Sequence, residues 1–247
     1  MNTHDAPTAS ATSPRLIFLH GIGNPKPNWF EMDKSALPEH LHPRCTGFYW
    51  GDLFEASPAG KRMSRLISFL DAITPIFTPM TYFSLRTLIN AGVQWIALPF
   101  LKELLDKSSD ILGYNSIQHQ AFKRLESLIL EHPEGVVLVA HSMGSVLSFE
   151  FLQSESPAVS YVKRLISLGS PLDRQPIKAQ VWSRTQGATR VPCAWLNIWG
   201  TLDLICCWRP WRSGELNHFY ADEQIKINWQ NHNFAGYLKR IPLLWLI

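Results

Sequence analysis

The pentapeptide "AHSMG", residues 140–144, sits where a run of apolar residues, "VVLVA" (136–140), meets a helical pattern, "MGSVLSFEFL" (143–152). A serine at such a strand-to-helix corner is held in a strained backbone geometry that lifts its side chain clear of the sheet. The positions two before and two after must be small, because the two backbones pass close there; Ala140 and Gly144 meet that need around Ser142. The competing reading is that Ser142 caps the following helix through its hydroxyl. A hydroxyl is a weak nucleophile until a base takes its proton. "INWQNHNFAGYL" offers His232 just beyond the last strand, whereas His218 in "GELNHFY" comes before that strand. The acid that would orient an imidazole is Asp203 in "NIWGTLDLI", with Asp173 in "GSPLDRQ" as the reserve; either could instead be an ordinary turn aspartate, as His232 could be an ordinary loop histidine. Two N–H donors complete the set. Met143 follows the serine at the start of its helix, and "FLHGIGNPKPNW" ends the first strand in His20-Gly21-Ile22-Gly23, a glycine turn from which Ile22 is the expected second donor. His20 is expected to brace that turn, with Gly21 and Gly23 giving it freedom and His141 flanking the serine.

These residues need a frame that brings them to one edge. Six short runs read as strands: 15–20, 45–51, 136–140, 164–170, 194–200 and 225–229. Most are continuously apolar rather than alternating, which suits parallel strands covered on both faces. Helical stretches lie between them. In the clearest, "SIQHQAFKRLESLILEH", residues Ile117, Ala121, Leu125 and Leu128 share a face. The alternation predicts a doubly wound, mostly parallel sheet of about six strands, whose ligands sit at the carboxyl ends of the strands.

Residues 53–115 are too long for a plain crossover. Between Asp71 and Lys102 the only charged residue is Arg86, polar residues recur at near-helical spacing, and Pro75, Pro79 and Pro99 interrupt the stretch. Three readings stay open: a helical lid over the site, a peripheral element at a membrane surface through residues 72–101, and a membrane span. The uncharged runs on either side of Arg86 are each shorter than the roughly 20 residues a span needs.

With 247 residues, 46% hydrophobic and 17% charged, the chain is long enough for one large globular domain, expected over 15–247. Residues 1–14 are small, polar and Pro-containing, without the charged start and apolar run of a secretory signal. They are expected to be a disordered tail on a cytoplasmic protein. A net charge of +3 with no dense Lys/Arg cluster argues against nucleic acid as a partner. The four cysteines, Cys45, Cys193, Cys206 and Cys207, show no C-x-x-C spacing and are expected to be reduced thiols rather than a metal site.

The order Ser142…Asp203…His232, the "AHSMG" corner and the "HGIG" turn together resemble the α/β-hydrolase superfamily, in particular its lipase-like serine esterases. The resemblance covers residues 15–247, is specific at 20–23 and 140–144, and is absent over 53–115. It implies Ser142 as nucleophile, His232 as base, Asp203 as acid, and Ile22 and Met143 as oxyanion donors. Ala140 stands where the family has glycine, and the family's first strands are missing, which implies a minimal six-stranded core. The implied reaction is hydrolysis of a small-molecule or lipid ester through an acyl-enzyme, with no metal or cofactor. A thioesterase or amidase using the same residues, and a non-catalytic membrane-associated scaffold, are the rival readings.

Overall fold

A computed structural model describes residues 13–21, 26–56, 114–172, 177–188, 190–202, 220–228 and 234–247. Six strands form one sheet: β1 (Arg15–Leu19), β2 (Cys45–Phe48), β3 (Val136–His141), β4 (Val162–Leu168), β5 (Ala194–Leu202) and β6 (Tyr220–Asn228). Every neighbouring pair is parallel. The order across the sheet is β2-β1-β3-β4-β5-β6. The winding therefore reverses between β1 and β3, and a parallel sheet opens its ligand crevice at such a switch point.

The helices are α1 (Trp29–Asp33), α2 (Gly51–Ala56), α3 (Tyr114–Leu130), α4 (Met143–Leu152), α5 (Ile177–Arg184) and α6 (Phe234–Leu238). Strand side chains alternate between two cores. Ile17, Leu19, Leu138, Ala140, Leu165 and Trp195 pack with α3, α4 and α5 on one face. Leu16, Phe18, Val137, Val139, Ile166 and Ile198 pack with α1 and α6 on the other. Cover on both faces explains why the strands read as unbroken apolar runs. Every residue of α4 is buried, so this helix is itself a core layer, enclosed between the sheet and its neighbouring helices.

Glu150 is buried within α4, where a lone carboxylate would be costly. It accepts hydrogen bonds from Tyr114 Oη (2.6 Å), Gln118 Nε2 (2.8 Å) and Arg184 Nε (2.5 Å), tying α3 and α5 to α4. Burial pushes its pKa up, while the Arg184 guanidinium pulls the other way.

Several details differ from the pattern in the sequence. β6 begins at Tyr220 rather than 225, because an edge strand can carry "YADEQ" without an apolar run. On α3 the inward face steps from Leu125 to Ile129, with Leu128 only half-buried, since a 3.6-residue period favours the i+4 position there. β2 stops at Phe48, and the residues that continue its apolar pattern lead instead into α2. Of the 53–115 stretch, only its two ends, in α2 and α3, belong to the described residues, so the lid, interfacial and spanning readings of 72–101 lie outside them. Among the described residues no helix is long and apolar enough to cross a membrane, and no His, Cys, Asp and Glu cluster could hold a metal ion. Cys45 and Cys193 are buried free thiols, and burial pushes them up to about 11 and about 12. Cys206 and Cys207 lie outside the described residues.

Candidate active site

β3 ends at His141 and α4 begins at Met143, leaving Ser142 alone as the corner. Its backbone has φ 51° and ψ −125°, a conformation ordinarily left to glycine. The Ser142 side chain makes no capping hydrogen bond to the helix, so the cap reading does not describe it. The strain is held from three sides. Ser142 N–H donates to the carbonyl of Leu168 at the end of β4 (2.9 Å). The Ser142 carbonyl accepts from Ser145 N–H (2.9 Å) and from Ser145 Oγ (2.5 Å). Ser145 Oγ also lies 2.7 Å from Ser170 Oγ, linking the first turn of α4 to the segment after β4.

The β1 exit closes over this corner. A Cβ on Gly21 would stand 2.6 Å from Ser142 Cβ and 3.1 Å from Ser142 Oγ, so only glycine lets the turn come this close. A Cβ on Gly144 would stand 2.6 Å from the His20 carbonyl oxygen and 2.8 Å from that of Leu19. The small residue after the serine is thus required by β1, whose last carbonyls touch the start of α4. Ala140 is fully buried in β3 between Leu19 and Ser167, and the methyl in place of glycine is accommodated there. Met143 is buried at the first position of α4. The His141 ring lies 5.8 Å from Phe234 and 5.7 Å from Tyr237, on the face opposite α4.

His20 is buried among Trp29, Tyr49 and Trp50. Its Nδ1 lies 2.7 Å from the Gly21 carbonyl, and its Nε2 accepts from Trp50 N–H (3.3 Å). A carbonyl only accepts and an amide N–H only donates, so both contacts hold together in the neutral tautomer protonated at Nδ1. Burial lowers the His20 pKa from 6.5 to about 4, against the opposing pull of the Gly21 hydrogen bond and the Asp52 carboxylate. The unfolded chain therefore binds a proton below pH 6.5 that the folded chain refuses until about pH 4. Stability from this group is full above pH 6.5 and is lost as pH falls through that window, by on the order of 3 kcal/mol. Urea unfolding of wild type should weaken more between pH 7 and pH 4.5 than that of His20→Asn; parallel curves would show that His20 titrates normally.

Ile22, Gly23, Asp203 and His232, and the reserve residues Asp173 and His218, lie outside the described residues. The elements beside them are described. β5 runs to Leu202, two residues further than its apolar pattern suggested, so Asp203 is the next residue of the chain. α6 begins at Phe234, two residues after His232, and the Phe234 ring contacts both His141 and Trp29 (5.8 and 5.0 Å). Sequence reasoning missed Ser145, Ser170 and Trp50. Only Trp50 left a trace there, as an aromatic residue within the run 45–51 read as a strand.

A strained serine at the switch point, under a glycine turn and at a helix start, is an arrangement suited to acyl transfer. Residues 117–187, from α3 through α5 and including this corner, match the family model of lecithin:cholesterol acyltransferase. None of the curated proteins compared with the chain matches it. Among solved structures the chain is similar to RedJ with a PEG molecule bound in the active site, at 11% identity and a TM-score of 0.37, over 100% of this chain and 92% of that one.

Proposed function

We propose that this chain is an α/β-hydrolase-type, acyl-transferring serine hydrolase that cleaves carboxylic esters, with apolar or lipid-like acyl groups as its substrate class. The observation that carries the reading is the Ser142 backbone, φ 51° and ψ −125°, with a hydroxyl that does not cap its helix. A chain gains nothing structural from such strain at a serine, and strain of this kind collects at reacting centres. Ser142 attacks the ester carbonyl while His232 takes its proton; the N–H groups of Met143 and Ile22 receive the oxyanion. The alkoxide then leaves with the proton from His232. Water, deprotonated by the same imidazole, releases the acid from Ser142, and Asp203 holds the imidazole in the accepting tautomer. No metal or cofactor enters these steps.

The match to an acyltransferase family model favours a second reading of the last step, in which an alcohol rather than water accepts the acyl group. Product analysis with and without added alcohol separates the two. A fluorophosphonate probe should label the protein once, on the tryptic peptide holding Ser142; labelling elsewhere, or none, would remove the reading.

Peripheral contact with a lipid surface through residues 72–101 belongs to the same proposal, supported by their nearly uncharged, Pro-interrupted pattern. The protein should sediment with liposomes and be released by carbonate. Extraction by detergent alone would favour a membrane span.

A further inference from the structure

Trp50 makes two hydrogen bonds to a single residue, and that residue ends β1. Its backbone N–H donates to His20 Nε2 (3.3 Å), and its indole Nε1–H donates to the His20 carbonyl (3.1 Å). His20 in turn donates from Nδ1 to the Gly21 carbonyl (2.7 Å). Both carbonyls of the His20-Gly21 turn are thereby engaged, one directly by Trp50 and one through the imidazole that Trp50 orients. The engaged His20 carbonyl is also the atom against which Gly144 packs, and Gly21 itself lies against Ser142.

A trans peptide is planar, with its N–H antiparallel to its C=O. Fixing the His20 carbonyl therefore fixes the direction of the Gly21 N–H, and fixing the Gly21 carbonyl fixes that of the N–H that follows it. A glycine turn has little stiffness of its own. Without the clamp, a peptide unit of this turn can flip and turn a carbonyl oxygen toward the place where negative charge develops. Trp50 is fully buried and packs edge-on to Tyr114 (ring centroids 6.3 Å), so the clamp is anchored in the core rather than in solvent.

We infer that Trp50 is a positioning residue for the oxyanion turn, holding the peptide unit before Gly21 directly and, through the His20 ring, the peptide unit that carries the turn's N–H donor. The inference rests on the serine-hydrolase reading and adds to it a residue outside the Ser-His-Asp set. It gives the indole N–H a task that burial alone does not, since a phenyl ring would fill most of the same space.

The test uses the full-length protein. Trp50→Phe keeps a buried ring and the backbone N–H but loses the indole donor. With an aryl ester, kcat should fall by about 10- to 100-fold with KM within about threefold, below the 10²–10³-fold cost of deleting an oxyanion donor outright. The rate of fluorophosphonate labelling should fall in parallel. A folded Trp50→Phe protein with wild-type kcat would overturn the inference, because a packing role survives this substitution.

Should Trp50→Phe fail to fold, His20→Asn carries the test: it can place an amide donor where Nδ1 stands but has no acceptor where Nε2 takes the Trp50 N–H, so kcat should fall by about 10-fold or more with KM within about threefold. Wild-type kcat in a folded His20→Asn protein would overturn the clamp. Independently of activity, ¹⁵N chemical shifts of wild-type His20 should show the neutral Nδ1–H tautomer, and the Nε2–H tautomer would sink the inference with the hydrolase reading intact. Absence of Ser142 labelling in wild type would overturn the hydrolase reading, and the inference with it.

Discussion

Ser142→Ala should reduce aryl-ester turnover by about 10⁴-fold or more while leaving the protein folded, because removing a nucleophile leaves only binding and oxyanion stabilisation behind. The same substitution should abolish fluorophosphonate labelling. The fold should tolerate it, since the corner is held by backbone contacts: Ser142 N–H to Leu168 and the Ser142 carbonyl to Ser145, both independent of the Ser142 hydroxyl. Wild-type rates from a folded Ser142→Ala protein would defeat the esterase reading.

Ser142→Gly separates chemistry from strain. A non-glycine residue held in a sparsely populated region costs about 1–3 kcal/mol, and glycine relieves that cost at an unfolded-state entropy penalty of about 0.5–1 kcal/mol. The glycine variant should thus be as inactive as the alanine variant but more stable than it by about 1 kcal/mol in urea unfolding. Turnover retained in the glycine variant would show Ser142 to be structural, since relief of strain follows whatever the role of the residue.

The frame was legible in the sequence because its physics is local. Continuous apolar runs in "RLIFLH", "VVLVA" and "RLISLGS" can be buried on both faces only in a covered parallel sheet, and β1, β3 and β4 lie where those runs do. The corner was legible for the same reason: a small residue must follow two places after the serine, and Gly144 packs against β1 carbonyls. β6 was legible only in its second half, because Tyr220–Gln224 pair with β5 through backbone groups that side-chain pattern does not report. The link from Trp50 to His20 joins residues |i−j| = 30 apart through one indole and one imidazole. Neither a period nor a motif encodes such a contact. It follows only from the parallel register of β1 and β2, with Leu19 beside Phe48, which brings the residues after both strands together.

His232→Ala should cost about as much as Ser142→Ala, whereas His218→Ala should change turnover by less than about tenfold, ~1.4 kcal/mol of barrier. The argument is one of reach. A general base must come within roughly 2.6–3.2 Å of the serine oxygen, allowing somewhat more without substrate. β6 is parallel to its neighbours and nine residues long, so its two ends stand about 30 Å apart. His218 precedes Tyr220 by two residues, a tether of about 7 Å that cannot bring it from the amino edge to the edge where β3 delivers Ser142. His232 comes two residues before Phe234, whose ring touches His141, the neighbour of Ser142, so a tether of the same length is expected to bring it within reach of the corner. Asp203 follows β5 directly, and β5 lies two strand spacings from β3, about 10 Å, a gap that an imidazole with a hydrogen bond on each side can bridge. Asp203→Asn should therefore lower kcat by orders of magnitude by stabilising the wrong tautomer, with labelling slowed rather than abolished. The measurement is kcat and labelling rate across His232→Ala, His218→Ala and Asp203→Asn under one set of conditions. A large loss at His218 with none at His232 would mean that the base reaches Ser142 from the amino end of β6, which the parallel pairing of β5 and β6 does not allow.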